Sequence, residues 1–228
     1  MRIAEIFRSR QGEGLLTGTD SVFIRTSGCN LRCWFCDTPY TSWAPEGTDL
    51  SVEEVLQRVG EHDTTHVVIT GGEPMLLAEL VPLSAELAAQ GRHITIETAG
   101  TLDLPVTCDL MSISPKLSNS TPSRQEHPRW SGRHERTRHQ PSVIRRLTAD
   151  YAYQLKFVVD RPDDLAEVER YLAEFPEVDR SRVLLMPQGT DQAELAERAA
   201  WIAEYCEAAG FRYCPRKHIE WYGVVRGT

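Results

Sequence analysis

Apolar and polar residues follow two periods along the chain, and the pattern switches repeatedly between that of a strand and that of a helix. Val22-Phe23-Ile24-Arg25 is a short β-branched and aromatic run that stops at Gly28, which predicts a strand. Ser51-Val52-Glu53-Glu54 places a hydroxyl three residues before a glutamate, a capping box, and predicts a helix running to about Gly60. His66–Thr70 reads as a buried strand halted by Gly71-Gly72. Leu76–Gln90 reads as a helix stopped by Gly91, and His93–Glu97 as a strand stopped by Gly100. Further on come Leu110–Ser114, a strand at Gln154–Val159, a helix opened by Pro162, a strand at Val183–Met186, and a helix from about Gln192 to Ala209 that ends at Gly210.

This alternation predicts an α/β fold with a mostly parallel sheet covered by helices, either an open doubly wound sheet or a partial barrel. Both architectures gather their chemistry at the carboxyl ends of the strands. Four motifs directly follow predicted strands: the Cys29 to Cys36 loop, Gly71-Gly72-Glu73-Pro74, Glu97-Thr98-Ala99-Gly100-Thr101 and Ser114-Pro115-Lys116. They are expected to converge on one mouth.

One segment breaks the pattern. Between Ser118 and Arg146 stand seven arginines and three prolines with little periodicity, which predicts an irregular arginine-rich insertion at about 118–146. It reads either as a solvated loop or as a lid or partner-binding surface. The length of 228 residues suits a single domain spanning 1–228. A net charge of −8 argues against a protein that sheathes phosphates, so no nucleic-acid partner is expected. No stretch reaches the roughly 18 to 20 apolar residues of a membrane helix, and the charged segment Met1–Arg10 is unlike a signal peptide. The expectation is a cytoplasmic protein with no membrane partner.

The cysteines sharpen the picture. Cys29-x3-Cys33-x2-Cys36 supplies three thiolates in one short loop, enough to hold three irons of a cubane and leave the fourth iron open. The alternative is a structural zinc site of three cysteines and a histidine. Cys108, Cys206 and Cys214 lack ferredoxin spacings; the first two read as small core residues, and Cys214 stays undecided. Three cysteines crowded within eight residues fit metal binding in a reducing compartment better than disulfides.

The Cys-x3-Cys-x2-Cys spacing, with Phe35 before the last cysteine and Gly71-Gly72-Glu73-Pro74 further on, resembles the signature of radical S-adenosylmethionine (SAM) enzymes. Arg10-Gln11-Gly12-Glu13-Gly14, Phe23-Ile24-Arg25, Gly28-Cys29-Asn30-Leu31-Arg32-Cys33, Cys36-Asp37-Thr38 and Glu97-Thr98-Ala99-Gly100-Thr101 together resemble the 7-carboxy-7-deazaguanine synthase family. The likeness spans nearly the whole chain outside the insertion, the ending Trp221–Thr228 excepted. It implies an abbreviated (β/α) barrel of the radical SAM type and a homodimer. It also implies conversion of 6-carboxy-5,6,7,8-tetrahydropterin to 7-carboxy-7-deazaguanine with loss of ammonia, on the route to preQ0 and queuosine.

Carried over by residue, the resemblance implies a [4Fe–4S] cluster on Cys29, Cys33 and Cys36, and a pterin pocket lined by Arg10, Gln11, Gly12, Arg25 and Thr98. Glu13 either faces a guanidine-like ring edge or is a satisfied turn residue, and His218 reaches the substrate as a histidine there does in relatives. Thr38 matches a Mg²⁺ ligand, against the alternative that it caps the cluster loop by bonding a backbone amide. Phe35, Asp37, Gly72, Glu73, Gly100, Ser114, Pro115, Lys116 and Gln188 match positions around SAM; Asp37 alternatively holds a metal-bound water, and Lys116 is alternatively a surface lysine. An external electron donor of flavodoxin or ferredoxin type is implied. The rivals are an activase of the same superfamily acting on a partner protein, and a zinc-stabilised binding module without redox chemistry.

Overall fold

The computed structural model describes residues 1–228. Nine strands form one sheet: β1 (Arg2–Arg10), β2 (Asp20–Thr26), β3 (Thr48–Asp49), β4 (His66–Gly71), β5 (His93–Thr98), β6 (Leu110–Ile113), β7 (Tyr153–Val159), β8 (Val183–Pro187) and β9 (Arg212–Tyr213). Their order is β3-β1-β2-β4-β5-β6-β7-β8-β9. From β2 to β9 every neighbouring pair is parallel, while β1 runs antiparallel to β2 and β3 antiparallel to β1. The sheet does not close, which makes it the partial barrel expected. The helices are α1 (Pro39–Ser42), α2 (Val52–Gly60), α3 (Leu80–Ala89), α4 (Pro128–Thr137), α5 (Pro141–Asp150), α6 (Asp163–Ala173), α7 (Gln192–Ala209) and α8 (Lys217–Tyr222). None is long and apolar enough to cross a membrane.

The two-residue period of a strand sorts each sequence run onto two faces. Val22, Ile24, Val67, Ile69, Ile94, Ile96, Leu155, Phe157, Val183 and Leu185 are fully buried in the main core beneath the helices, which they share with Leu83 and Leu87 of α3 and Ile202 of α7. Each such side chain stabilises the fold by about 1.5–3 kcal/mol through burial alone. The intervening positions, including Arg25, Thr70, Glu97, Ser112 and Lys156, turn to the opposite, concave face. That face carries the site.

Two expectations change. The segment 118–146 is not an irregular insertion: a 3₁₀ turn at Ser118–Ser120 is followed by α4 and α5. Pro128 and Pro141 open these helices, where a missing N–H costs nothing, instead of breaking them. Leu76–Gln90 is likewise not one helix, because a 3₁₀ turn at Pro74–Leu76 precedes α3. The capping box of Ser51 and Glu54 is present as expected.

Helix α4 is tied to the cysteine loop through a buried histidine. His134 accepts the Arg32 backbone N–H at its Nδ1 (3.1 Å), so its Nε2 carries the proton and donates to Ser120 Oγ (2.9 Å). Burial pushes His134 down to about 4 from an ordinary 6.5. Between those values the unfolded chain binds a proton that the folded chain refuses, so stability is full above pH 6.5 and declines as pH falls towards 4. His134→Asn is expected to flatten this slope. Urea unfolding of both proteins at pH 4.5, 5.5 and 6.5 checks it, and parallel pH profiles would refute it.

Candidate active site

A cavity of about 480 Å³ lies over the concave face, within the range of small-molecule sites. Its lining brings together the loops that follow β1, β2, β4, β5, β6 and β8, as the convergence of motifs required. All three cluster-loop thiols reach it. Burial pushes the Cys29 thiol up to about 12 and the Cys33 thiol up to about 11, so thiolates here need a cation to neutralise them. The three do not converge on one point as ligands of a single ion. A cubane gives each thiolate its own iron, so it asks for sulfurs spread around a volume and not for three that meet at one ion. The loop is braced around them: Trp43 Nε1 donates to Cys33 O (2.9 Å), and Ser42 Oγ donates to Cys36 Sγ (3.2 Å). Gly72 packs against the carbonyls of Gly28 and Thr41, leaving no room for a side chain.

A chain of charges runs through the cavity lining. Lys156 on β7 pairs with Glu13; Arg216, just before α8, donates to Glu13 (3.3 Å) and to Asp37 in the cluster loop. The Lys156 and Arg216 side chains are each 6% exposed. Burial alone would raise the Glu13 carboxyl, but Lys156 and Arg216 outweigh it and hold the group far below the usual range. Asp37 is lowered too, Arg216 outweighing the desolvation of a carboxylate whose side chain is still 40% exposed. Burial lowers His218, whose Nδ1 is 3.7 Å from Glu13, and so keeps it neutral.

Around this chain the expected pterin residues take varied positions. Gln11 is buried and fully engaged: its amide donates to Glu97 (3.1 Å) and its carbonyl accepts the Glu13 N–H (3.1 Å). Gly12 abuts His218, and its carbonyl accepts the Lys217 N–H (2.9 Å). Arg25 donates through Nε to Glu5 (2.6 Å), which also accepts from Tyr40 Oη (2.7 Å); the two terminal nitrogens of Arg25 have no protein acceptor. Arg10 is held by α8, donating to Tyr222 Oη (3.0 Å) and lying over Trp221. Thr98 lines the cavity, yet its hydroxyl donates to Glu73 (2.8 Å).

Among the expected SAM contacts, Phe35, Asp37, Gly72, Ser114, Lys116 and Gln188 line the cavity. Glu73, Gly100 and Pro115 do not. The Glu73 carboxylate turns inward to take the N–H groups of Met75 (3.1 Å) and Ala99 (2.9 Å) besides Thr98, so it shapes the wall from behind. Gly100 faces Ile113 and Ile144 of the core. Lys116 folds back to Ser114 Oγ (2.7 Å). Thr38 places its hydroxyl 3.8 Å from Cys36 Sγ and makes no cap to a backbone amide.

Sequence reasoning missed Lys156, Arg216 and Glu5, and it gave Glu97 a place in a motif but no role. Gln154 is a further omission: it binds the Leu15 N–H (2.8 Å) and Ser112 Oγ (2.7 Å), fastening the 11–15 loop to the sheet. Gly14 in that loop has φ +81° and sits against the Gln154 amide, where a side chain would collide. The Gly14 N–H donates to Cys214 Sγ (3.1 Å), which gives that cysteine its place under the cavity.

Comparison with known proteins bears on this geometry. The Radical SAM superfamily profile matches residues 23–115. The chain is 48% identical to the 7-carboxy-7-deazaguanine synthase of Rhodopirellula baltica, covering 99% of this chain and 88% of the relative. It is 46% identical to that of Halobacterium salinarum, over 95% and 88%. The crystal structure of QueE from Escherichia coli superposes with a TM-score of 0.72 at 26% identity, covering 95% of this chain and 94% of that one. Neither a partner-protein activase nor a zinc-stabilised module accounts for likeness of this extent: the chain belongs to the 7-carboxy-7-deazaguanine synthase family of radical SAM enzymes.

Proposed function

We infer that the chain converts 6-carboxy-5,6,7,8-tetrahydropterin to 7-carboxy-7-deazaguanine with loss of ammonia, as a single domain that works as a homodimer. The observation that carries this reading is one cavity lined both by three cluster thiols and by an ionised carboxylate and an arginine. Cys29, Cys33 and Cys36 would hold the [4Fe–4S] cluster, which with SAM supplies the one-electron chemistry that starts the reaction by hydrogen abstraction. An external donor of flavodoxin or ferredoxin type provides the electron.

The chain's own residues bind and orient. The terminal nitrogens of Arg25, aimed by Glu5, take the substrate carboxylate. Glu13, kept ionised by Lys156 and Arg216, accepts N–H groups of the pterin edge. Neutral His218 and the backbone around Gly12 complete that side. Asp37, Phe35, Ser114, Lys116 and Gln188 surround SAM, and the backbone at Gly72, drawn close against Gly28, faces its methionine end. An anaerobic assay of reconstituted protein with the pterin, SAM and Mg²⁺, following the product by mass, tests the reading; absence of product with an intact, reducible cluster would refute it.

Thr38 is the proposed protein ligand of Mg²⁺, its oxygen acting together with the substrate carboxylate and water. Thr38→Ala is expected to weaken the apparent affinities for Mg²⁺ and for substrate together, by about tenfold each, with cluster content unchanged. Thr38→Ser should be much milder. Metal titrations of both variants that match the wild type would remove Thr38 from the metal site.

A further inference from the structure

The arginine-rich segment has no role in the cavity, yet it forms the outer wall of the cluster loop. Trp34, between two cluster cysteines, donates its backbone N–H to Ser120 O (3.1 Å) and its indole N–H to Asn119 O (2.7 Å). Arg32 donates to the carbonyls of Cys29 and Leu31 (2.7 Å each), and its guanidinium lies 4.0 Å over the Trp130 ring of α4. On that same ring, Arg133 lies 5.2 Å from the centroid. A stack of Arg133, Trp130 and Arg32 thus runs from the surface of α4 to the backbone that carries Cys29.

The exposed face of this wall is strongly basic in an acidic protein. Residues 118–146 hold seven arginines against two glutamates, while the whole chain carries −8. Arg129, Arg133 and Arg136 are exposed and spaced i, i+4, i+7, so they share one stripe of α4. None of the three, nor exposed Arg124, meets a carboxylate, whereas Arg138 at the end of the same helix pairs with Glu135 and Glu167. Next to the stripe, a surface cleft is lined by Trp34, Trp43, Thr121, Ser123, Glu126 and His127. Trp34 is 53% exposed, and Trp43 is the residue bonded to Cys33 O.

We propose that the α4 arginine stripe and Trp34 form the docking surface for an acidic one-electron carrier protein that reduces the cluster. This rests on the reading under Proposed function. The transfer is one electron from the reduced carrier to the oxidised cluster, with no bond made or broken and no proton moved. Unpaired rim arginines speed encounter with an acidic partner, and the exposed Trp34 ring gives it an aromatic contact on the cluster loop itself.

The test uses reconstituted holoenzyme and purified flavodoxin in its hydroquinone form, with cluster bleaching followed by stopped flow. At low ionic strength Arg129→Glu/Arg133→Glu/Arg136→Glu should slow reduction by flavodoxin at least about tenfold and weaken calorimetric binding of oxidised flavodoxin in parallel. The corresponding triple glutamine variant should lose less. Added salt should slow the wild type but hardly affect the triple glutamate variant. Reduction by dithionite and dithionite-driven turnover should stay unchanged, as should everything in Arg58→Glu on α2. Wild-type rate and salt dependence in the triple variant would overturn the proposal, as would an equal loss in Arg58→Glu. Arginine-dependent binding of a short RNA duplex, with flavodoxin indifferent to the stripe, would overturn it as well. Failure of dithionite-driven turnover in every protein would instead refute the functional reading on which it rests.

Discussion

Replacing any one of Cys29, Cys33 and Cys36 by alanine is expected to abolish the iron–sulfur chromophore and all SAM cleavage. Each thiolate is assigned its own iron, so two cannot hold what three hold. No spare thiol is near. Cys206 lies on the buried face of α7, and Cys108 packs against the core on the helix side of the sheet. Cys214 sits beneath the 11–15 loop, where it accepts the Gly14 N–H. Cys108→Ala and Cys206→Ala should therefore keep full iron and sulfide content. Anaerobic iron and sulfide analysis with visible spectra decides the matter: a near wild-type cluster in the three loop variants would remove the central assignment.

The second large effect is expected at Arg216. It joins three partners, Glu13, Asp37 and Gly189 O (2.7 Å), that come from separate loops. Arg216→Met leaves the Asp37 carboxylate without its cation and Glu13 with Lys156 alone. Because the Asp37 side chain is 40% exposed and Glu13 keeps Lys156, the loss should fall below that of a fully buried pair, and urea unfolding should show about 1.5–3 kcal/mol. Turnover should fall at least about tenfold, since Asp37 lies in the cluster loop and Glu13 in the proposed substrate wall. Lysine can keep the charge but cannot span three acceptors from one point, so Arg216→Lys should recover stability more than turnover. Wild-type stability and kinetics in Arg216→Met would show the network to be dispensable.

The cluster loop, the alternation of strands and helices and the convergence of motifs were all legible, because local patterns specify them. Cysteine spacing and a capping box need no tertiary knowledge. What escaped was of two kinds. Strand β1 carries only weak alternation in Arg2–Arg10, and it is specified by antiparallel pairing with β2, a contact between segments. The helices α4 and α5 were hidden by prolines, whose meaning depends on whether they open a helix or interrupt one. The missing site residues had a readable trace. Thr95 and Glu97, Ser112 and Ser114, Gln154 and Lys156 each place polar groups two apart within an apolar run. A strand buried on both sides has no reason to carry them, so the pairs marked the face that holds the cavity. Arg216 left no such trace, since its importance comes from two partners far away in sequence.

That separation has a consequence for how the protein is made. Glu13 and Arg216 lie 203 positions apart. At a synthesis rate of about 5–20 residues per second, the first waits roughly 10 to 40 s on the ribosome before the second exists. During that interval the cluster loop is already outside while the arginine that steadies Asp37 has not yet been translated. Iron–sulfur loading before release would therefore meet an unfinished pocket, and the nascent chain has reason to receive its cluster late.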